Sequence, residues 1–461
     1  MSNHWIGSKN FYKRTIRIAL PIMIQNGITN FVGMLDNIMV GQIGTAQMSG
    51  VSIINQMIFV FNLMIFGGMA GIGIYTAQYA GKDDQEGIRI TVRMKLVLAA
   101  VLVALGLIVF LTAGIPLASL WLTGEGTASD VASTLKSANS YMLAMCFGLV
   151  PFALSSLLSD TMRECGETMT PMKAGVIAVL VNLAGNYILI YGKFGAPKLG
   201  VVGAAIATVF SRVIEAAYLI IWLRRHTDRM EWVTGLFRNF HIPGGLARTI
   251  LIKAFPLLMN ETMWSLGQTV LSQQYSLRGL NVVAAFNISN TIGNVFNIAF
   301  IAMGSATAII LGQELGARKL DRVQDDAQRL ALFSVSLCLI FGTLLFAVSG
   351  LFPRIYNTTP EVQKIATGLI RVAACFMPLH AYMNCSYFTL RSGGKTWITF
   401  LFDSCFVWVV SIPLAFILTH YTTFPIVTLF ILVGCGDFIK VVMGYFMVKS
   451  GMWIHDLTQD A

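Results

Sequence analysis

Charged residues are scarce in this sequence. Asp, Glu, Lys and Arg together make up 12% of the 461 residues, whereas soluble globular proteins typically carry about a quarter. Hydrophobic residues reach 56%, and the mean hydropathy is +0.70. This balance excludes a soluble globular protein and indicates a polytopic membrane protein.

Cysteine is also sparse, and its spacing argues against metal or disulfide frameworks. The seven cysteines form no CxxC pair, and all but Cys165 lie in apolar runs, so we interpret them as small hydrophobic residues. No cofactor and no structural metal are expected. The polar, basic N-terminus runs directly into a full-length apolar span, which predicts that no signal peptide is cleaved.

The stretch from Ile18 to Val40 is long enough to cross a bilayer but contains one formal charge, Asp36. At about 1.5 Å rise per residue it spans roughly 35 Å, against a hydrocarbon core of about 30 Å. An ionised carboxylate at that depth costs at least a few kcal/mol, so such residues face a protein interior or a wet cavity. Asp36 is therefore predicted to lie in a transport pathway.

Apolar runs of sufficient length occur twelve times, which predicts twelve transmembrane helices. Placing the N-terminus and every second loop in the cytoplasm puts 23 of the 32 Lys and Arg residues there, 7 on the opposite side, and Arg212 and Lys440 within spans. Because cytoplasmic loops carry an excess of basic residues, both termini are predicted to be cytoplasmic, in a bacterial inner (plasma) membrane. The net charge of +10 then requires no nucleic-acid partner. The predicted spans are 15–40, 51–79, 94–122, 139–161, 171–192, 201–223, 249–275, 283–315, 330–353, 364–389, 397–420 and 424–448.

The two halves of the chain repeat each other at an offset of 235 residues. Each half has six helices, and six is an even number, so both halves enter the membrane in the same sense. We therefore predict two six-helix lobes related by a pseudo-twofold axis along the membrane normal, with the substrate site between them. The predicted domains are an N-lobe (1–225), a cytoplasmic linker (226–248) and a C-lobe (249–461). The matching pairs are Pro21 and Pro256, Asn55 and Asn290, 60–62 and 295–297, Gln78 and Gln313, and Gly81 and Gly316. After small changes in loop length, MRECGET at 162–168 also corresponds to LRSGGKT at 390–396.

Several segments together resemble the multidrug and toxic compound extrusion (MATE) family, over about residues 14–450. They are LPIMI and LDNIMVGQIG in helix 1, GIGIYTAQYAGKDD, MRECGETMTPM, NLAGNYILIYGKFGAPKLGVVGAAIAT and GSATAIILGQELGARKLD. The resemblance implies a pair of six-helix bundles that exports organic, often cationic, compounds in exchange for protons or sodium ions.

A candidate cation site in the N-lobe combines Asp36 with helix 5. Asn182 and Asn186 are four residues apart and share one helix face. Their amides can hold a carboxylate or coordinate a small cation, but asparagines also join helices by hydrogen bonds. The resemblance implies that this acid and these polar residues bind the coupling ion, H⁺ or Na⁺, with Thr208 on helix 6 as an addition.

The candidate site in the C-lobe is less regular. Glu261 is predicted near the membrane midplane in helix 7, as a cation-binding or drug-binding acid. The family pattern pairs it with an acid on helix 10, but 364–389 contains His380 and no Asp or Glu. His380 either titrates near neutrality beside Glu261 or packs as an ordinary core residue. Asp403 on helix 11 and Asp437 on helix 12 either take part in transport or pair with a cation such as Lys440.

Three classes of function fit a chain of this kind. A multidrug antiporter for amphipathic organic cations is favoured, acting as a monomer in contact with membrane lipid. A flippase for lipid-linked saccharides is the alternative, but it is expected to line its cavity with several arginines, and Arg212 is the one arginine that clearly lies inside a span, away from its ends. A membrane-embedded hydrolase has no nucleophile arrangement to support it, so the chain is predicted not to be an enzyme.

Overall fold

The computed structural model describes residues 7–120, 128–356 and 358–459, and within them it contains twelve long helices and no strand. The prediction of an all-α fold with twelve helices is therefore confirmed. The end of the third predicted span, residues 121–122, lies outside the described residues. The helices are α1 Lys9–Gly41, α2 Thr45–Lys82, α3 Gln85–Leu120, α4 Ala128–Cys146 with Leu149–Glu164, α5 Met169–Tyr191, α6 Val201–Arg225, α7 Gly244–Ser276, α8 Leu280–Gly316, α9 Leu320–Val348, α10 Pro360–Ser392, α11 Thr396–Tyr421 and α12 Ile426–Lys449.

Most of these helices are suited to cross a membrane. By length and composition, nine helices in the described part of the chain qualify, and α4 makes a tenth when its two segments, bent by 50°, count as one span. The remaining two, α1 and α7, are more polar, but each has 33 residues, which is about 50 Å of helix and more than a bilayer requires.

The predicted repeat is visible in the helix boundaries. Helices α1, α2 and α3 begin at Lys9, Thr45 and Gln85. Helices α7, α8 and α9 begin at 244, 280 and 320, each 235 residues later. The prolines of α1 and α7, at 21 and 256, therefore stand at the same helical position. Because a proline removes one backbone hydrogen bond, both helices have the same built-in weak point.

The chain divides into two compact units. One contains the residues up to Met23, Ala77–Asp83 and everything from Arg248, and the other contains Ile24–Thr76 and Asp84–Ala247. The segment predicted as a linker belongs to the second unit, where Trp232 is buried and Arg93 Nε donates to the Leu236 carbonyl at 2.9 Å. The lobe boundaries themselves stay a prediction.

Within the first unit, the ends of α2 and α8 cross with their backbones in contact. A Cβ added at Gly81 would lie 1.9 Å from the Gln313 carbonyl oxygen, and one added at Gly316 would lie 1.8 Å from the Gln78 carbonyl oxygen. The two contacts are reciprocal and involve residue pairs related by the 235-residue repeat. A crossing this close requires glycine at both positions, because real side chains never approach to such distances.

The C-terminal segment, which follows Lys449, hydrogen-bonds to Gln78 at the same helix crossing. Gln78 is fully buried, and its Nε2 donates to the carbonyls of Ser392 at 3.0 Å and His455 at 3.2 Å, while its Oε1 accepts from Leu457 N at 2.8 Å. Burial raises the pKa of neighbouring Asp456, but hydrogen bonds from Thr458, Gln459 and Arg318 outweigh burial and hold this pKa below its usual range. The segment is thus an ordered part of the fold.

Candidate functional site

The structure brings the four predicted N-lobe residues together, all within the second unit. Asn182 and Asn186 are buried side by side on α5, with 6% and 1% of their surface exposed. Asn186 Nδ2 donates to Asp36 Oδ1 at 2.6 Å and, in one of the two orientations of the Asn182 amide, to Asn182 Oδ1 at 3.3 Å. Their spacing of four residues aims both amides at α1, as the sequence predicts.

The amide of Asn182 links the Asp36 carboxylate to Thr208 of α6. With its nitrogen toward the carboxylate, Asn182 donates to Asp36 Oδ1 at 3.1 Å and Oδ2 at 2.9 Å, and its oxygen accepts from Thr208 Oγ1 at 3.0 Å. In the opposite orientation Nδ2 donates to Thr208 Oγ1, also at 3.0 Å. A hydroxyl can donate or accept, so Thr208 is compatible with both. The first orientation suits an ionised Asp36, and the second suits a protonated one.

One acceptor in this cluster is unused. Asn186 Oδ1 is buried and has no hydrogen-bond partner among the described residues. Buried polar atoms are nearly always paired, so this oxygen, together with the carboxylate, offers ligands for a proton donor or a small cation. Oxygen atoms of carboxylates and amides are the ligands that hard cations prefer.

A small cavity lies between α1 and α5 in the same unit, and its lining contains none of the four cluster residues. Its volume is about 480 Å³, and its lining includes Met39, Gln42, Tyr187 and Tyr191. Met39 is three residues after Asp36 on α1, and Tyr187 follows Asn186 on α5. Thioether and aromatic surfaces accept apolar and cationic rings, so this cavity can hold part of an amphipathic compound.

The positive charge within α6 is neutralised locally. Arg212 NH1 donates to Glu215 Oε2 at 2.8 Å, one turn along the same helix. Its guanidinium also lies 5.5 Å from the centre of the Phe152 ring. Arg212 therefore reaches Asp36 by long-range attraction and leaves the carboxylate free to bind another cation.

In the first unit, Asp403 is the centre of a buried polar network. Asn260, 1% exposed, donates from Nδ2 to Asp403 Oδ2 and to the Tyr387 hydroxyl, both at 3.2 Å. Ser404 Oγ donates to Asn260 Oδ1 at 2.7 Å. Glu261, the residue after Asn260, interacts electrostatically with Arg391 and Asp403. Glu261 and Asp403 thus belong to one region.

Asp403 is paired with Lys440, as one of the two sequence interpretations proposed. Lys440 Nζ lies 2.9 Å from Asp403 Oδ1 and within 5.6 Å of the centres of the Phe402 and Phe406 rings. Lys440 is 7% exposed. The aspartate sits in a π-helical turn of α11, Leu401–Cys405, and such wide turns are frequent at functional sites.

His380 has a different partner from the one considered in the sequence. Within the described residues, its ion-pair partner is Asp437 of α12, at 3.5 Å from Nε2 to Oδ2, and not Glu261. The interpretation that places His380 beside Glu261 therefore needs correction. Helices α10 and α12 pack along each other and bring His380 to Asp437, whereas Glu261 lies on α7.

The sequence does contain a signal for this network. Aligning the starts of α6 and α12, Val201 and Ile426, places Asp437 at the position of Arg212 and Lys440 at the position of Glu215. The same two positions thus carry opposite charges in the two halves. In α6 the pair is internal, while in α12 each charge bonds to another helix. The comparison of repeats finds Asp437 and Lys440, but not Asn260, Tyr387 or Ser404.

A substitution tests the buried pair. We expect Asp403→Asn to destabilise the protein by about 3–5 kcal/mol, because it leaves the Lys440 ammonium buried without its counter-charge. The double variant Asp403→Asn with Lys440→Met removes both charges and should recover most of the loss. Thermal unfolding of both variants in detergent measures the difference; equal stability of Asp403→Asn and wild type would contradict this account.

Twelve helices in two repeated halves, with a carboxylate held by two buried asparagines within a span, define the class of secondary membrane transporters built from internal repeats. A model of the MatE family matches residues 21–188 and 256–417, and these two matches begin 235 residues apart. The chain therefore belongs to the MatE family, whose members are membrane transporters and not enzymes.

Relatives and solved structures agree with this assignment. The chain is 24% identical over 420 residues to the "Probable multidrug resistance protein NorM" of Thermotoga maritima, covering 89% of this chain and 86% of that protein. It is 25% identical to the "Multidrug resistance protein NorM" of Vibrio parahaemolyticus, covering 87% and 86%. A solved outward-facing structure of a multidrug resistance MATE family transporter has the same fold, with a TM-score of 0.86, 20% identity and 95% coverage of both chains.

Proposed function

We propose that this protein is a secondary active multidrug efflux antiporter. It exports organic, often cationic and amphipathic, compounds in exchange for H⁺ or Na⁺. It acts as a monomer in the bacterial plasma membrane, surrounded by lipid and with both termini in the cytoplasm. The observation that carries the proposal is the Asp36 cluster, in which two buried asparagines hold the carboxylate and Asn186 Oδ1 has no hydrogen-bond partner among the described residues.

The cluster supplies a physical basis for coupling. When Asp36 is ionised, the Asn182 nitrogen turns toward it; when Asp36 takes up a proton, the amide reverses and Thr208 changes its hydrogen-bond role. Sodium binding instead recruits the Asn186 oxygen. Pro21 lies fifteen residues before Asp36 in α1, where the missing hydrogen bond lets the helix bend as the charge changes.

The substrate class follows from the groups around the acids. The cavity between α1 and α5 presents Met39 and two tyrosines, which suit the ring system of an amphipathic compound. The negative charge of Glu261 in the other half balances the positive charge of the substrate, while Asp36 binds the coupling ion. The relatives named as multidrug resistance proteins support a broad substrate range.

The charges do not favour a lipid-linked saccharide as substrate. Within the described spans, Arg212 pairs with Glu215, and Lys440 pairs with Asp403. These pairs neutralise Arg212 and Lys440 near the two candidate sites, and the Asp36 carboxylate would repel a pyrophosphate. We therefore retain the antiporter.

Vesicle transport tests the proposed function and identifies the ion. Purified protein in lipid vesicles should expel ethidium when either an inward proton gradient or an inward sodium gradient is imposed, and the productive gradient identifies the coupling ion. A gradient of one pH unit supplies about 1.4 kcal/mol, so proton coupling alone sustains a roughly tenfold ethidium gradient per proton.

Two comparisons make the result specific. Vesicles without protein and vesicles with dissipated gradients should show no ethidium efflux. Transport of anionic saccharide lipids, with no movement of any organic cation under either gradient, would overturn the proposal.

A further inference from the structure

A cavity in the first unit lies at one end of the helices α7 to α12. Its volume is about 1180 Å³, and it is formed where α7 meets α8, α9 meets α10 and α11 meets α12. These loops are on the side predicted to face away from the cytoplasm. The cavity is far along the sequence from the Asp36 cluster and belongs to the other unit.

Basic residues are concentrated in this cavity. Its lining contains Arg278, Arg354, Lys364 and Arg371, against one acid, Glu361. The topology assigns 7 of the 32 Lys and Arg residues to this side of the membrane: these four and Lys136, Lys193 and Lys198. More than half of them thus share one cavity, although basic residues on this side are otherwise disfavoured.

Two of the four basic side chains have no protein partner among the described residues and can contact a ligand. Arg278 donates to the Leu418 carbonyl at 3.0 Å, and Arg371 Nε donates to Ser349 Oγ at 3.2 Å. In contrast, Arg354 and Lys364 are exposed, and no hydrogen bond or ion pair of their side chains occurs within the described ranges. The acid is already engaged, because Asn281 Nδ2 donates to Glu361 Oε2 at 3.0 Å.

The backbone adds to the positive potential. The first residues of three helices line the cavity: Leu280 of α8, Pro360 of α10 and Ile426 of α12. Each helix start carries a partial positive charge from its unpaired N–H groups. Basic side chains and helix starts that converge on one cavity are the usual means of binding a phosphate group.

We propose that this cavity binds a phosphate-bearing anion, with Arg354 and Lys364 as its principal charged contacts. The cavity lies at the end of the transmembrane helices, and apolar residues such as Phe424 and Val427 also line it. An anionic phospholipid headgroup and a free phosphate ester share the chemistry that the cavity recognises. The site is separate from the proposed transport function and does not depend on it.

The test measures binding to the full-length protein in a non-ionic detergent. Native mass spectrometry with added phosphatidylglycerol, against phosphatidylcholine, reports lipid binding, and calorimetry with glycerol 1-phosphate reports binding of a free phosphate ester. We expect the variant with Arg354→Gln and Lys364→Gln to bind at least about tenfold more weakly, because two charge-assisted contacts are lost. Loss in the lipid arm alone identifies a headgroup site, and loss in both arms identifies a site for any phosphate ester.

A matched control separates this site from net charge. The variant with Lys193→Gln and Lys198→Gln removes two exposed lysines assigned to the same side but outside the cavity, and it should bind as wild type does. The proposal is overturned if neither anion binds the wild-type protein. It is also overturned if both double variants lose binding equally, or if Arg354→Gln with Lys364→Gln has no effect.

Discussion

Asp36→Asn is expected to abolish gradient-driven efflux while leaving ethidium binding nearly unchanged. Asparagine has the same shape, so Asn182 and Asn186 can still hydrogen-bond to it, but it can neither take up a proton nor attract a cation. A gradient of one pH unit with a membrane potential of 100 mV supplies about 1.4 and 2.3 kcal/mol. If each exchange moves a net charge, these two energies together sustain an ethidium gradient of roughly a few hundredfold in the wild type. The variant should sustain no gradient. Fluorescence efflux from vesicles and equilibrium binding in detergent measure the two properties.

The control for this variant is Asp160→Asn. Asp160 is also an aspartate of the second unit, paired with Arg163 at 3.2 Å, but its side chain is 23% exposed and is separate from the cluster. It should retain ion-dependent efflux. If Asp36→Asn, at normal expression, pumps at the wild-type rate under an imposed gradient, Asp36 is not the coupling residue.

Gly316→Ala is expected to destabilise the protein by at least about 3 kcal/mol. The new Cβ would lie 1.8 Å from the Gln78 carbonyl oxygen, and this atom is backbone, so the two helices have to move apart. Overpacking usually costs about 1–3 kcal/mol, and a contact this short lies at the upper end. Because the unfolding entropy of a chain of 461 residues is about 1 kcal/mol/K, we expect a melting temperature lower by roughly 3 °C, measured by thermal unfolding in detergent. Gly81→Ala should have a similar effect, because its contact is the counterpart of this one.

Helix α8 also contains a glycine whose replacement by alanine should not destabilise the protein. Gly293 also lies within α8, but no atom stands within 4 Å of its added Cβ. Gly293→Ala should therefore be neutral or stabilising by up to about 1 kcal/mol, since alanine favours the helix. Equal losses at 293 and 316 would show that glycine composition, and not the crossing, decides stability.

The number and repeat of the helices could be read from the sequence because bilayer thickness and apolar length are directly related. The predicted spans understate the helices, however: α1 begins at Lys9 rather than near 15, and α10 at Pro360 rather than near 364. These extra helical turns lie outside the apolar run, and their polar residues could not be assigned to a helix from hydropathy. The bend of α4 between Cys146 and Leu149 was also not predicted.

The two candidate sites differ in how much the sequence could predict. Asn182 and Asn186 share a face by local helical geometry, so their joint position beside Asp36 followed from spacing and resemblance. The partners of His380 and Lys440 depend on how α12 is rotated against α10 and α11, and on the π-helical turn that sets the direction of Asp403. Tertiary packing sets both the rotation of α12 and the π-helical turn of α11. The spacing of residues along one helix does not specify this packing.

The burial of Gln78 also constrains how the chain is made. Its side-chain oxygen is paired by Leu457, which lies 379 residues later, and its nitrogen by Ser392 and His455. During synthesis, α2 therefore enters the membrane long before the backbone groups that complete it exist. Until they arrive, the Gln78 amide is left with water or with temporary partners. A chain cut short before residue 455 would keep all twelve helices and still leave a polar group exposed at the end of α2, a feature by which incomplete chains can be recognised and degraded.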